Sequence, residues 1–240
     1  MDLGINGRVA LVTASSKGLG RASAIALAQE GASLVICARG EEALEQTASF
    51  IREIGVDVLA IAEDVTDAAA PRRLVDAAIE RFGRLDIIVA NNGGPPPGRA
   101  LEVDDDALYR AIEANFMTSV RLIRLGVKHM VPAGWGRICA ITSYSVVQPI
   151  DNLALSNAAR TGLWAWVKTA ALDLMGTGVT LNIACPGMHL TDRIKSLGAP
   201  EREIGDPVDF GKVIAFMCSA PAGYVNGAAF VIDGGETLAL

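Results

Sequence analysis

Short runs that are apolar at nearly every position alternate along this chain with longer stretches whose apolar residues recur every three or four positions. The runs Arg8–Thr13, Ser33–Cys37, Asp57–Ala62, Leu85–Ala90, Gly136–Thr142, Val179–Cys185 and Ala228–Ile232 read as strands. The stretches Gly20–Glu30, Glu41–Ile54, Ala69–Phe82, Asp104–Met130, Leu153–Met175 and Pro207–Ser219 read as helices. In the first of these, Ala24, Leu27 and Ala28 share one face and Gly31 supplies the stop. Pro71 falls near the start of its helix, where a missing N–H is tolerated. Strands that are apolar on both faces belong to a sheet covered on both sides. Their regular alternation with helices makes that sheet parallel and doubly wound. No linker, repeat or low-complexity segment divides the chain, so a single α/β domain over 1–240 is predicted, with helices on both faces.

Composition changes this picture little. Hydrophobic residues make up 51% of the 240 positions, enough for a sizeable core. No apolar run is long enough to span a bilayer, and Met1–Arg8 lacks the basic-then-apolar layout of a signal peptide. A cytoplasmic location is expected, with no membrane partner. A net charge of −6 argues against broad nucleic-acid binding. Cys37, Cys139, Cys185 and Cys218 lie in apolar segments without C-x-x-C spacing. They read as buried reduced thiols, and no metal is expected.

Candidate chemistry begins in the turn after the first strand, Thr13-Ala14-Ser15-Ser16-Lys17-Gly18-Leu19-Gly20. Gly18 and Gly20 let the backbone approach a pyrophosphate, and the helix N-terminus behind them offers N–H groups and partial positive charge. In this place the turn marks a dinucleotide site of the Rossmann type, although its spacing departs from G-x-G-x-x-G. The second strand ends Cys37-Ala38-Arg39, with no acid there to hold a ribose 2′-hydroxyl. Arg39 and Lys17 suit a 2′-phosphate instead, so NADP(H) is favoured over NAD(H).

With these residues in view, the whole chain resembles the short-chain dehydrogenase/reductase family, and within it the 3-oxoacyl-acyl-carrier-protein reductases. The likeness rests on Thr13–Gly20, Asp64-Val65, Asn91-Asn92-Gly93-Gly94, Asn115, Ser143, Pro186-Gly187 with Thr191, and Ile232-Asp233-Gly234-Gly235. It implies that Asp64 and Val65 flank the adenine and that Asn92 and Gly93 line the cofactor. Pro186, Gly187 and Thr191 would hold the nicotinamide carboxamide. Asn115 would kink the long helix and hold a water, and Ser143 would bond the substrate carbonyl. It further implies a small-molecule or acyl-carrier-linked carbonyl substrate. A homo-oligomer, dimer or tetramer, is expected to pack through the long helices. Leu163, Trp164, Trp166 and Val167 are either interface or intrachain core. Ala14 replaces a usual glycine, a change expected to be tolerated because the role there is packing. The loop Gly93–Gly98 is Pro-rich, and the substrate lid at about 190–207 is short.

The largest departure lies thirteen residues after Ser143. Where the family carries Tyr-x-x-x-Lys, this chain has Ser156-Asn157-Ala158-Ala159-Arg160, as in a divergent subgroup it resembles. The i, i+4 spacing puts Ser156 and Arg160 on one helix face. A Ser hydroxyl ionises far less readily than a phenol and is shorter, so Ser156 does not replace Tyr directly. Arg160 keeps the cation and suits the nicotinamide ribose, but holds its proton too tightly to be an acid. Of the other titratable groups, Tyr144 follows Ser143 and His189 follows Pro186-Gly187-Met188. Each is either a substitute proton donor or, respectively, a packed aromatic and a surface-loop histidine. Tyr109, Tyr224 and His129 lie farther from these motifs; His129, near a helix end, reads as a dipole partner.

Overall fold

The computed structural model describes residues 1–196 and 204–239. Seven strands form one parallel sheet: β1 (Val9–Val12), β2 (Ser33–Ala38), β3 (Val58–Ala62), β4 (Ile87–Ala90), β5 (Gly136–Ile141), β6 (Val179–Pro186) and β7 (Ala229–Ile232). Their order is β3-β2-β1-β4-β5-β6-β7. The helices are α1 (Gly18–Gln29), α2 (Glu41–Ile54), α3 (Ala70–Phe82), α4 (Asp105–Ile112), α5 (Thr118–Met130), α6 (Ala154–Asp173), α7 (Asp192–Ser196) and α8 (Pro207–Met217). The doubly wound α/β reading therefore holds.

The sheet separates two cores. One face packs Ala24 and Leu27 of α1, Leu44 and Ile51 of α2, and Phe210 and Ile214 of α8. The other packs Leu74 of α3, Leu122 and Ile123 of α5, and Leu163 and Val167 of α6. Leu163 and Val167 are thus intrachain core, which corrects their candidacy for an interface. Trp164 and Trp166 are only half-buried.

The predicted helix Asp104–Met130 is not uniform. Between α4 and α5 the segment Glu113–Met117 makes a π-helical turn centred on Asn115. The Thr118 N–H and hydroxyl both donate to the Glu113 carbonyl, five residues back. Such single π turns recur at functional sites, because the widened turn re-aims one side chain inward. Hydrophobic periodicity does not register one extra residue, so the sequence pattern runs through it.

All four cysteines are buried and free. Burial is the main cause that pushes the Cys37 thiol up to about 12, aided by Glu63 and Asp64. It does the same to Cys218, to about 12, and raises Cys139 well above its ordinary range. Native protein is expected to show no reactive thiol toward a disulfide reagent at neutral pH, and four after unfolding in denaturant.

Candidate active site

In this topology the chain leaves β1 toward one side of the sheet and β4 toward the other, which opens a crevice at their carboxyl ends. Thr13 stitches the floor of that crevice. Its hydroxyl donates to the Asn91 carbonyl at 2.7 Å and accepts from the Asn91 N–H at 2.9 Å. Ser15 stitches the other side, donating to the carbonyls of Val12 and Cys37 and accepting from the Cys37 N–H. Both hydroxyls are engaged by the frame and set the shape of the turn.

The turn itself is tight. The Ser16 carbonyl accepts from Thr47 of α2, and Lys17, exposed and extended, precedes α1 without capping it through its side chain. Gly20 is buried so deeply that a Cβ there would lie 2.4 Å from the Ala14 carbonyl oxygen and 2.5 Å from Asn91 Nδ2. Leu19 is half-buried against the first core. Ala14 adopts φ +48°, a left-handed conformation that disfavours any Cβ. The earlier expectation that alanine is tolerated there for reasons of packing therefore misses the backbone cost. Ala14→Gly is expected to raise stability by about 0.5–1 kcal/mol, the strain relief outweighing the added freedom of the unfolded chain. Differential scanning calorimetry should show a melting temperature about 2 °C higher.

Other predicted residues gather around this turn. A Cβ placed on Gly18 would lie 3.4 Å from the Thr191 methyl, so Thr191 stands directly across from the turn. Pro186 ends β6, and the Gly187 N–H donates to the Ile232 carbonyl at 2.9 Å. Asn92 has its side-chain oxygen buried without a hydrogen-bond partner, while Gly93 beside it is exposed. Arg39 is exposed at the end of β2. Hydrogen bonds from Thr66 hold the Asp64 carboxyl below the usual range, with a smaller push from the Arg39 charge. Val65 next to it is half-buried. An α1 N-terminus with no side-chain cap, glycines at the point of closest approach and an orphaned amide suit a dinucleotide. A cavity of about 540 Å³ lies on the outer flank of α1, reaching Lys17, Gly18, Thr191 and Val208 rather than Ser143.

The reaction end of the site is built by β5 and α6. Ser143 follows β5, and its oxygen accepts from the Ser145 N–H at 3.1 Å. That leaves its O–H able to donate to a substrate oxygen. Asn115 is buried, and neither polar atom of its amide has a partner. Such a pair of orphans calls for a bound water or ligand. Arg160 is 7% exposed; its Nε donates to Ser156 Oγ at 3.2 Å, and one terminal nitrogen donates to the carbonyls of Ile141 and Thr142 at 3.1 and 3.0 Å. The guanidinium thus clamps the end of β5 immediately before Ser143.

Asn157, within the altered segment, holds Ile150 through its amide, accepting at 3.4 Å and donating at 2.9 Å. The neighbouring Asn152 carbonyl receives the Gly98 N–H, and the Gly98 carbonyl receives the Ala154 N–H. Asn157 therefore anchors the turn on which the Pro-rich loop leans, a role that motif spacing did not reveal. His189 is buried rather than on a surface loop. Its Nδ1 lies 3.1 Å from the Gly187 carbonyl oxygen and its ring meets Phe210 edge-on. Tyr144 is buried, and its hydroxyl donates to Glu236 Oε1 at 3.0 Å. Part of the expected lid, residues 197–203, lies outside the described residues; α7 occupies its first part.

Residues 13–237 match the family model described as Enoyl-(Acyl carrier protein) reductase. The chain is 32% identical to the cis-4-hydroxycyclohexanecarboxylate dehydrogenase of Sinomonas cyclohexanicum, over 96% of each chain. L-Sorbose reductase from Gluconobacter frateurii, solved with NADPH and L-sorbose, superposes with a TM-score of 0.92 at 32% identity, covering 99% of this chain and 100% of that one. A 7α-hydroxysteroid dehydrogenase solved with NADH and 7-oxo glycochenodeoxycholic acid gives 0.92 at 29% identity, covering 98% and 96%.

Proposed function

Because the chain belongs to the short-chain dehydrogenase/reductase family, we propose that it is an NADP(H)-dependent oxidoreductase. Its substrate is a small-molecule alcohol or ketone, and its proton relay does not run through position 156. The observation that carries this reading is the Gly-rich turn after β1 and Ser143 after β5, at the same edge of the sheet, together with the π turn of Asn115 packed against α6. A bound nicotinamide supplies the hydride donor or acceptor. Ser143 donates to the substrate oxygen, Arg160 fixes Ser143 by holding β5, and Asn115 orders a water behind them. Ser156, tied to Arg160 and lacking an acidic proton, is structural.

The preference for NADP(H) rests on Arg39 and Lys17, both exposed at the adenosine end, and on the absence of a carboxylate from Cys37 to Gly40. One relative of the same fold was solved with NADPH and another with NADH, so the discrimination belongs to these local charges. Calorimetry is expected to give NADPH at least tenfold tighter binding than NADH, and Arg39→Asp to reverse the order. Equal affinities would remove the 2′-phosphate assignment. A panel of ketones, sugars and a 3-oxoacyl thioester with NADPH tests the activity, with Ser143→Ala as the control. A homo-oligomer packed through α4, α5 and α6 belongs to the same reading; light scattering at the mass of one chain would reject it. A dinucleotide-binding protein without turnover is the second reading, favoured by Ser156 and the fully engaged Arg160 Nε. It requires NADPH binding with no oxidation by any member of the panel.

A further inference from the structure

Transfer of a hydride between a carbinol carbon and a nicotinamide must be matched by movement of one proton at the oxygen. Ser156 and Arg160 do not supply it, for the reasons of acidity already given. Among the remaining phenols, Tyr109 is 71% exposed on α4, and Tyr224 is fully exposed beyond α8. His189 is boxed in by Phe210 and by Gly205, where a Cβ would lie 2.6 Å from its ring. Tyr144 alone adjoins Ser143, and it meets a carboxylate.

We propose that Tyr144 and Glu236 form the proton-transfer pair of this active site, the phenol facing the substrate oxygen and the carboxylate exchanging its proton with water. The inference rests on the oxidoreductase reading and deepens it.

Glu236 comes from the tail that follows β7, and that tail is pinned on both sides of it. Asp233 presses on Gly187 so closely that a Cβ on the glycine would lie 2.6 Å from Asp233 Cβ. The Asp233 carboxylate then accepts from the N–H groups of Gly235 and Thr237 at 2.9 and 2.7 Å. Beyond Glu236, the Leu238 N–H donates to Gln148 Oε1 at 2.8 Å, on the same turn as Tyr144. The carboxylate is therefore carried across from β7 to the hydroxyl of Tyr144, the residue that follows Ser143 beyond β5. It stays half-exposed while the phenol is buried. That gradient suits a relay with its inner end dry and its outer end wet.

In the oxidative direction the alcohol O–H proton passes to the Tyr144 oxygen while the phenolic proton passes to Glu236. The carbinol hydrogen leaves with its electron pair, and the carbonyl double bond forms. Tyr144 ends neutral, and Glu236 returns its proton to water. Reduction runs the same transfers backward. Shuttling through a neutral phenol avoids a buried phenolate, which the lost Lys of the family motif would otherwise have to stabilise.

The test uses Tyr144→Phe and Glu236→Gln in the full chain. Tyr144→Phe is expected to lower kcat about 100-fold with NADPH affinity unchanged, in the range for one acid–base group. Glu236→Gln should lower kcat about tenfold, but add nothing in the Tyr144→Phe background. Added formate should restore turnover to Glu236→Ala, which a merely structural loss would not allow. Independently of activity, ultraviolet titration of the three tyrosines should show one component moving to lower pH in Glu236→Gln, where the neighbouring negative charge is gone. That component should be missing in Tyr144→Phe. Wild-type turnover together with unchanged kcat in Tyr144→Phe overturns the relay and leaves the oxidoreductase reading standing. An identical tyrosine titration in wild type and Glu236→Gln also overturns it. A wild type inactive on the whole panel overturns the oxidoreductase reading, and the relay with it.

Discussion

Gly20→Ala is expected to abolish measurable dinucleotide binding and to destabilise the fold by about 3 kcal/mol. On helix propensity alone the change would be favourable by about 1 kcal/mol, since Gly20 lies in the first turn of α1. Packing decides against it. The added methyl would sit 2.4 Å from a backbone oxygen and 2.5 Å from Asn91 Nδ2, and the turn has little room to retreat. Ser15 ties one side to β2, and Asn91 is itself held by Thr13. The Asn91 amide also bonds the Ala14 carbonyl, so displacing it loosens both walls of the crevice. Calorimetry with NADPH and a thermal melt would read the two effects separately. Binding within threefold of wild type would show that the turn does not hold the pyrophosphate.

Arg160→Met should cost about 3 kcal/mol, seen as a melting temperature lower by about 10 °C. Methionine keeps much of the volume but no donor. The carbonyls of Ile141 and Thr142 and the Ser156 hydroxyl then lose a charged partner in a buried place. Hydrogen bonds to charged groups are worth about 1.5–3 kcal/mol, more than exposed pairs contribute. The end of β5 should relax as well, so Ser143 is displaced and turnover falls further than stability alone requires. Arg160→Lys preserves the charge but cannot reach Ser156 and both carbonyls in one plane, so an intermediate loss is expected. A melting temperature unchanged in Arg160→Met would contradict the clamp.

Much of the architecture was legible because it follows from two periodicities. Every run predicted as a strand is a strand, and the sheet is parallel because helices intervene between consecutive strands. The Gly-rich turn was legible for the same reason: its place after β1 is local. Features that depend on one residue's backbone were not. Nothing in the pattern distinguishes the π turn at Asn115 from α-helix, and a name alone does not show that Ala14 stands at positive φ.

Side-chain roles divided similarly. The partners of the Ser15 and Thr13 hydroxyls are backbone groups of β2 and of Asn91, just after β4, far away in sequence. Asn157 was hidden within a motif defined by its neighbours, and its partner Ile150 lies in the preceding turn. Glu236 was out of reach altogether, because its contact with Tyr144 spans 92 positions and depends on how the tail folds back over β6. Long-range contacts of that kind carry no local signature.

In the proposed reaction hydride and proton move without a donor at position 156. Steady-state oxidation of NADPH with a responsive ketone, compared between wild type and Ser156→Ala, tests it most directly. Turnover is expected in both, with kcat in Ser156→Ala within about threefold of wild type, since the hydrogen bond to Arg160 is lost. A fall of 100-fold or more in Ser156→Ala, with NADPH affinity unchanged, would return the proton transfer to Ser156.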